Sequence, residues 1–278
     1  MAVIKAAERS LSLIKINKQD NMSEAVDQGH VHYTVDTNGI ATVEFGHPLS
    51  NSLPGKILSK LALTITELGN NPEVKVIVLT SSGEKAFCAG ASFDELISIH
   101  DLETGKKFFS GFASVINACR KAPKFIIGRV HGKAVGGGVG MASAVDYCLA
   151  TKDADVKLSE LAVGIGPFVV GPAVERKIGL SAMSELAINA TEWRSADWAK
   201  RKGLYTETFE SIEEMDSEIE RLALRLSKSN PEAMSMLKAV FWQGTEHWDD
   251  LLVERAGMSG ALVLSEFTVQ AINSFKKK

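Results

Sequence analysis

The sequence predicts an α/β protein, with a largely parallel-sheet core followed by an α-helical C-terminal region. Three observations lead there. Short β-branched runs alternate with segments of helical periodicity over the first part of the chain. After about residue 180 strand runs nearly vanish and helix follows helix. Two glycine-bearing stretches, moreover, stand where strands give way to helices.

The strand candidates are GIATVEF (39–45), VKVIVLT (74–80), KFIIGRV (124–130) and DYCLATK (146–152). Between the first two, Ile57, Leu61, Ile65 and Leu68 recur at helical spacing. Ser52 is the N-cap candidate, Pro54 sits near the first turn, and Gly69 with Asn70 ends the helix. Between the second and third, Phe108, Phe109, Phe112, Val115, Ile116 and Cys119 form another helical stripe. Strands alternating with helices of this length imply right-handed βαβ units over a buried parallel sheet. Five further helices are read from MSELAINA (183–190), SADWAKRKGL (195–204), IEEMDSEIERLALRLSKS (212–229), PEAMSMLKAVFWQ (231–243) and LVLSEFTVQAINSF (262–275). The expected organisation is a leader outside the fold over 1–27, a core over 28–210 and a helical region over 211–278.

Composition narrows the function classes. With 31 basic and 34 acidic residues well mixed, net charge −3, the chain has no electrostatic footprint for nucleic acid or an anionic membrane. No apolar run reaches the roughly 18 residues of a membrane span. Lys276, Lys277 and Lys278 read as a solvated tail. Cys88, Cys119 and Cys148 lack metal-ligand spacing, and an odd count makes a poor disulfide framework, so a reducing cytoplasm is the natural setting. His30, His32, His47, His100 and His247 show no ligand spacing either, and no metal is expected.

The stretch AVGGGVGMAS (134–143) demands an explanation, because each glycine in regular structure costs about 0.5–1 kcal/mol relative to alanine. Dinucleotide and nucleoside triphosphate sites need other spacings, and the lysine that would follow in a P-loop is missing. Tight helix–sheet contact is the plain alternative. A second stretch, GEKAFCAGASFDEL (83–96), shifts the balance toward chemistry. Two strand-to-helix junctions in one parallel sheet present backbone N–H groups at the same carboxyl edge. Aimed at one point, two such groups form an oxyanion hole.

These two elements, FCAGASFDEL and VHGKAVGGGVGMASAVDYCLAT, resemble those of the crotonase (enoyl-CoA hydratase/isomerase) superfamily. The resemblance continues through LSELAVGIGPFVVGPAVERKIG, SADWAKRKGLYTETF and NPEAMSMLK, and covers roughly residues 30–278. It implies a crotonase-like ββα spiral with a C-terminal helical trimerisation region, in a homotrimer or a dimer of trimers. It also implies an acyl-CoA thioester substrate and no cofactor, coenzyme A being part of the substrate. The amides of Ala91 and Gly137 would bind the thioester oxygen. Lys85, Ala86, Phe87 and Ala89 would meet the adenine end of coenzyme A through backbone atoms. Gly136, Gly140, Pro167 and Phe168 would also contact the substrate.

Hydratases of this family commonly carry two glutamates, one of them two residues after the triple glycine. Here Gly140 stands at that position, and Glu160 occupies the second. Phe168 stands where a small residue would leave room for a catalytic water, and with Val169 and Val170 it narrows an apolar pocket. One carboxylate suits a proton shuttle better than water addition. Three readings follow: a hydratase, an isomerase run by Glu160 alone, and an acyl-CoA-binding subunit without turnover. Asp94 and Glu95 read as a solvated helix face, Asp146 as structural, and Glu175 as an exposed ion-pair partner. His131 reads as a packing or capping residue, Cys88 as a small buried filler, and Trp242 and Trp248 as packing or subunit contacts.

Overall fold

The computed structural model describes residues 29–275. The leader expected over 1–27 and the terminal lysines lie outside the described residues.

The main sheet grows from strands whose inward residues are almost all aliphatic. In chain order its members are β1 (His30–Val35), β2 (Ile40–Gly46), β4 (Val76–Ser81), β7 (Phe125–Val130), β9 (Tyr147–Thr151) and β11 (Glu207–Phe209), in that spatial order. β1 pairs antiparallel to β2; the other neighbours are parallel. The four strands read from sequence are β2, β4, β7 and β9. One face, with Val43, Phe45, Ile77, Leu79 and Ile126, packs on α1 (Gly55–Asn70) and α3 (Leu102–Lys121). The other, with Val76, Val78, Ile127 and Leu149, is covered by Met215, Ile219 and Leu222 of α7 (Ile212–Ser227). Burying each such side chain is worth about 1.5–3 kcal/mol.

A second layer consists of strands too short to read from periodicity: β3 (Ser52–Leu53), β5 (Ala86–Cys88), β6 (Gly90–Ala91), β8 (Lys133–Val135) and β10 (Val156–Lys157). β10, β8 and β5 form a parallel three-stranded sheet, and β3 pairs parallel to β6. Ser52 therefore is not the N-cap of α1, as its sequence suggests. It lies in β3, where its hydroxyl donates to Ala91 O at 2.9 Å, and Pro54 holds the cap position. Two short helices follow the glycine stretches: α2 (Phe93–Ser98), capped by the Ser92 side chain accepting from Glu95 N, and α4 (Gly137–Ala144).

The rest is helical: α5 (Gly171–Ile188), broken at Gly179 (φ 77°), α6 (Ala196–Lys202), α8 (Pro231–Phe241), α9 (Trp248–Leu262) and α10 (Glu266–Phe275). The helix α9 was not legible in the sequence. Its buried face is Trp248, Leu252, Ala256, Ser259 and Gly260, and the last three are small residues that give little hydrophobic signal. They allow close approach to α3, where a Cβ on Gly105 would lie 2.9 Å from Gly260 Cα.

α8 is held by a buried ion pair. The Lys238 ammonium lies 2.8 Å from Asp146 Oδ2 and donates to Lys124 O, while Trp242 Nε1 donates to Asp146 Oδ1 at 2.9 Å. Ile126 N also donates to this carboxylate, giving Asp146 the structural part read for it. Trp242 and Trp248 pack edge to face, 5.9 Å apart.

Candidate active site

Parallel pairing decides where the notable residues meet. β5, β8 and β10 run the same way, so the segments leaving their carboxyl ends emerge along one edge. β5 leads through Ala89 and Gly90 to Ala91, β8 leads to Gly136 and Gly137, and β10 leads to Glu160.

The first junction leaves the Ala91 amide turned away from β3. Ala89 N donates to Ser50 O and Asn51 O, and Gly90 N donates to Cys88 Sγ at 3.4 Å. Ser92 N donates to Leu53 O across to β3, so the Ala91 N–H, one residue earlier on an extended strand, points the opposite way. A Cβ on Gly90 (φ 93°) would lie 3.3 Å from Val135 O and 3.9 Å from Gly137 N; the two junctions are in contact.

Each glycine of the run has its own reason. Gly136 adopts φ 53°, a conformation that disfavours L side chains, and a Cβ there would sit 2.8 Å from Glu160 Oε1. Gly137 rests on the Phe112 ring, whose Cζ would be 2.2 Å from a Cβ. Gly138 meets Cys88 O at 2.5 Å in the same sense. Val139 and Gly140 N–H donate to Gly136 O, while the Gly137 and Gly138 amides, at the start of α4, have no intrahelical acceptor.

Glu160 opens a 3₁₀ turn, Glu160–Val163, closed by Gly164 in the left-handed region. The residue is half-buried, and its Oε2 is buried without a hydrogen-bond partner. Burial pushes its carboxyl up to about 7, with only its own backbone amide pulling the other way. Two outward amides and one carboxyl near neutrality can together hold negative charge on an oxygen and carry a proton.

The second position of a two-carboxylate site is closed. A Cβ on Gly140 would lie 2.5 Å from Val170 Cγ1 and 2.8 Å from Val170 Cβ, so Val170 occupies the space a longer side chain would need. The Phe168 ring folds over Gly166, and Pro167 O accepts from Gly171 N at the start of α5. Neither of the other nearby acids enters this arrangement. Asp94 is exposed, and Glu95 Oε2 instead accepts from Gly55 N at 2.7 Å, tying α2 to the start of α1.

Farther along the first junction lies a cavity of about 620 Å³ lined by His30, His47, Ser50, Ser82, Lys85 and Ala86, among others. Phe87 is fully buried against Phe45, so only its backbone could serve a ligand. Lys85 O accepts from Lys133 N, and Ala86 O from Asn51 Nδ2. Cys88 is a buried filler, as read, with burial pushing its thiol up to about 12. His131 is 3% exposed, and burial lowers its pKa. Among the described residues no group of three or more His, Cys, Asp or Glu could hold a metal ion.

Sequence reasoning placed Val170 in the pocket wall but not against Gly140, and it missed Phe112 beneath Gly137 and Asn51 altogether. The stretch HPLSNS holds turn-forming residues and carries no signal of burial. That Asn51 is buried, with its side chain joining three segments, is visible only in three dimensions.

The architecture defines a crotonase-fold protein. The solved enoyl-CoA hydratase of Bacillus halodurans superposes with a TM-score of 0.81 at 19% identity, over 88% of this chain and 99% of that one. A family model, Enoyl-CoA hydratase/isomerase, matches residues 36–259, and the chain belongs to that family of enzymes. The short-chain-enoyl-CoA hydratase of Clostridium acetobutylicum is 28% identical over 242 residues, 86% of this chain and 92% of that protein. The peroxisomal Delta(3,5)-Delta(2,4)-dienoyl-CoA isomerase of Arabidopsis thaliana is 26% identical over 211 residues, 70% of this chain and 75% of that one.

Proposed function

We propose that this enzyme shifts the double bond of an enoyl-CoA thioester, with Glu160 as its only acid/base group. The observation that carries the reading is Val170 filling the space beside Gly140, where a second carboxylate would have to stand. Glu160, as carboxylate, takes a proton from C2 of a 3-enoyl thioester. The resulting dienolate carries its charge on the thioester oxygen, held by the Ala91 and Gly137 amides. The Glu160 carboxylic acid then returns the proton at C4, leaving the double bond between C2 and C3. A pKa of about 7 suits both halves of this cycle. Each oxyanion donor is worth on the order of 3–4 kcal/mol in the transition state. The cavity beside Lys85 and Ala86 offers room for the nucleotide end of coenzyme A, and the narrow wall of Phe168, Val169 and Val170 favours short or branched acyl groups.

Hydration is the second reading, favoured by the hydratase relative over most of the chain. The test follows ultraviolet absorbance of the conjugated thioester with 2-enoyl-CoA and 3-enoyl-CoA substrates of several lengths. Rising absorbance with the 3-enoyl compound, and none lost from the 2-enoyl compound, supports isomerisation. Falling absorbance with the 2-enoyl compound means hydration, and a proton donor other than a side chain at Gly140. If Glu160→Gln binds acyl-CoA and turns over as wild type does, Glu160 is not the acid/base group.

We further infer assembly into a homotrimer or a dimer of trimers through the helices after residue 211. Met236, Leu237, Val240 and Phe241 of α8 are exposed on the single chain, which supports this. No helix among the described residues is long and apolar enough to cross a membrane. A cytoplasmic site fits the three free, buried cysteines.

A further inference from the structure

Among the described residues, Ser50 (φ 53°) and Asn51 (φ 57°) are the non-glycine residues with positive φ. Each costs on the order of 1 kcal/mol or more and persists only where its surroundings hold it. Asn51 is 3% exposed, and both ends of its side-chain amide are bonded. Oδ1 accepts from His47 N at 2.8 Å, and Nδ2 donates to Ser82 O at 2.8 Å and to Ala86 O at 2.9 Å. The side chain thus joins the segments before β3, after β4 and at the start of β5. The left-handed pair also turns two successive carbonyls, Ser50 O and Asn51 O, onto the Ala89 amide, each at 3.2 Å. The next residues continue the clamp, Ser52 Oγ on Ala91 O and Leu53 O on Ser92 N. Ala91 is therefore gripped on both flanks by residues 50–53.

We propose that Asn51 is a positioning residue, fixing the direction of the Ala91 N–H through its bonds to Ala86 and its hold on Ala89. This rests on Ala91 serving as an oxyanion donor. Asn51 touches no reacting atom in this scheme. It acts by keeping the loop at the angle that turns the Ala91 amide away from β3.

Asn51→Gly tests it, because glycine tolerates φ 57° and the variant loses the side-chain bonds without adding strain. The probe is a 2,4-dienoyl-CoA, whose carbonyl stretch falls and whose absorbance shifts to the red when the thioester oxygen is hydrogen-bonded. With folding checked by circular dichroism, the variant is expected to lose most of that shift. Its kcat should drop 10-fold or more, while KM moves less than about threefold. Amide hydrogen exchange over 86–92 in the unliganded protein should quicken at least 10-fold. Wild-type shift, kcat and exchange in the variant overturn the proposal. If the wild-type enzyme itself produces no carbonyl shift, the oxyanion reading of Ala91 fails. Exchange then decides separately whether Asn51 fixes this loop, and unchanged exchange overturns that. Should Asn51→Gly not fold, Asn51→Asp, isosteric but unable to donate to Ser82 O and Ala86 O, takes its place with the same readouts.

Discussion

A carboxyl with a buried, unpartnered oxygen behaves differently from a surface one, and Glu160 shows this in two measurable ways. Its pKa, raised from 4.5 to about 7, puts the working carboxylate on the alkaline side. The kcat/KM for proton abstraction should therefore rise with pH through an apparent pKa near 7, and Glu160→Gln should abolish that limb. Stability runs the other way. A raised pKa means the fold favours the protonated form, so this contribution is full below about 4.5 and is lost as pH climbs through about 7. Glu160→Gln should accordingly match wild type in denaturant at pH 4 and exceed it by about 3 kcal/mol at pH 8. Equal stabilities at both pH values would show that the carboxyl is solvated. At Gly140 the conflict is steric instead. Gly140→Ala pushes a methyl into Val170 and should cost about 1–3 kcal/mol. Gly140→Ala with Val170→Gly should cost less than the two single losses combined, since removing Val170 vacates the contested space.

At the scale of elements, what the sequence disclosed depended on length and on pattern. α1, α3, α7 and α8 carry amphipathic stripes or side-chain caps that periodicity can find, and β2, β4, β7 and β9 are long aliphatic runs. β3, β5, β6, β8 and β10 are two or three residues each, too short for any alternation, so the second layer was invisible as structure. The glycine stretches flanking it were visible as chemistry, because glycine's cost singles them out. The position of Ser52 was misjudged for a related reason: a serine before a proline looks like a cap until a third segment, here Ala91, claims its hydroxyl. Asp146 joins elements far apart in sequence, β7, α8 and the turn before β9. Removing it by Asp146→Ala strands the Lys238 ammonium, 2% exposed, without its counter-charge. Unfolding in denaturant should show a loss of about 3–5 kcal/mol. A loss under 1 kcal/mol would mean that water reaches Lys238.

For the whole molecule, the open question is what covers α8. Its inner side is anchored by Lys238 and by Met234, which is buried. Its outer side presents Met236 and Val240 at 65% and 63% exposure, four residues apart and so on one helical face, with Leu237 and Phe241 beside them. Leaving such side chains in water forgoes about 1.5–3 kcal/mol each, which association would recover. Light scattering on the purified protein should thus give three or six times the 30.0 kDa chain mass. Val240→Lys puts a charge into the middle of the stripe and should shift the population to the monomer. The α8 anchor through Lys238 and Asp146 lies on the other side and stays intact, so circular dichroism should not change. Activity then separates two roles for assembly: a monomer with wild-type kcat has a complete site in one chain, whereas lost turnover means that a neighbouring subunit completes it. A wild-type protein that is monomeric at micromolar concentration would end the assembly argument and leave the α8 stripe without a partner of its own kind.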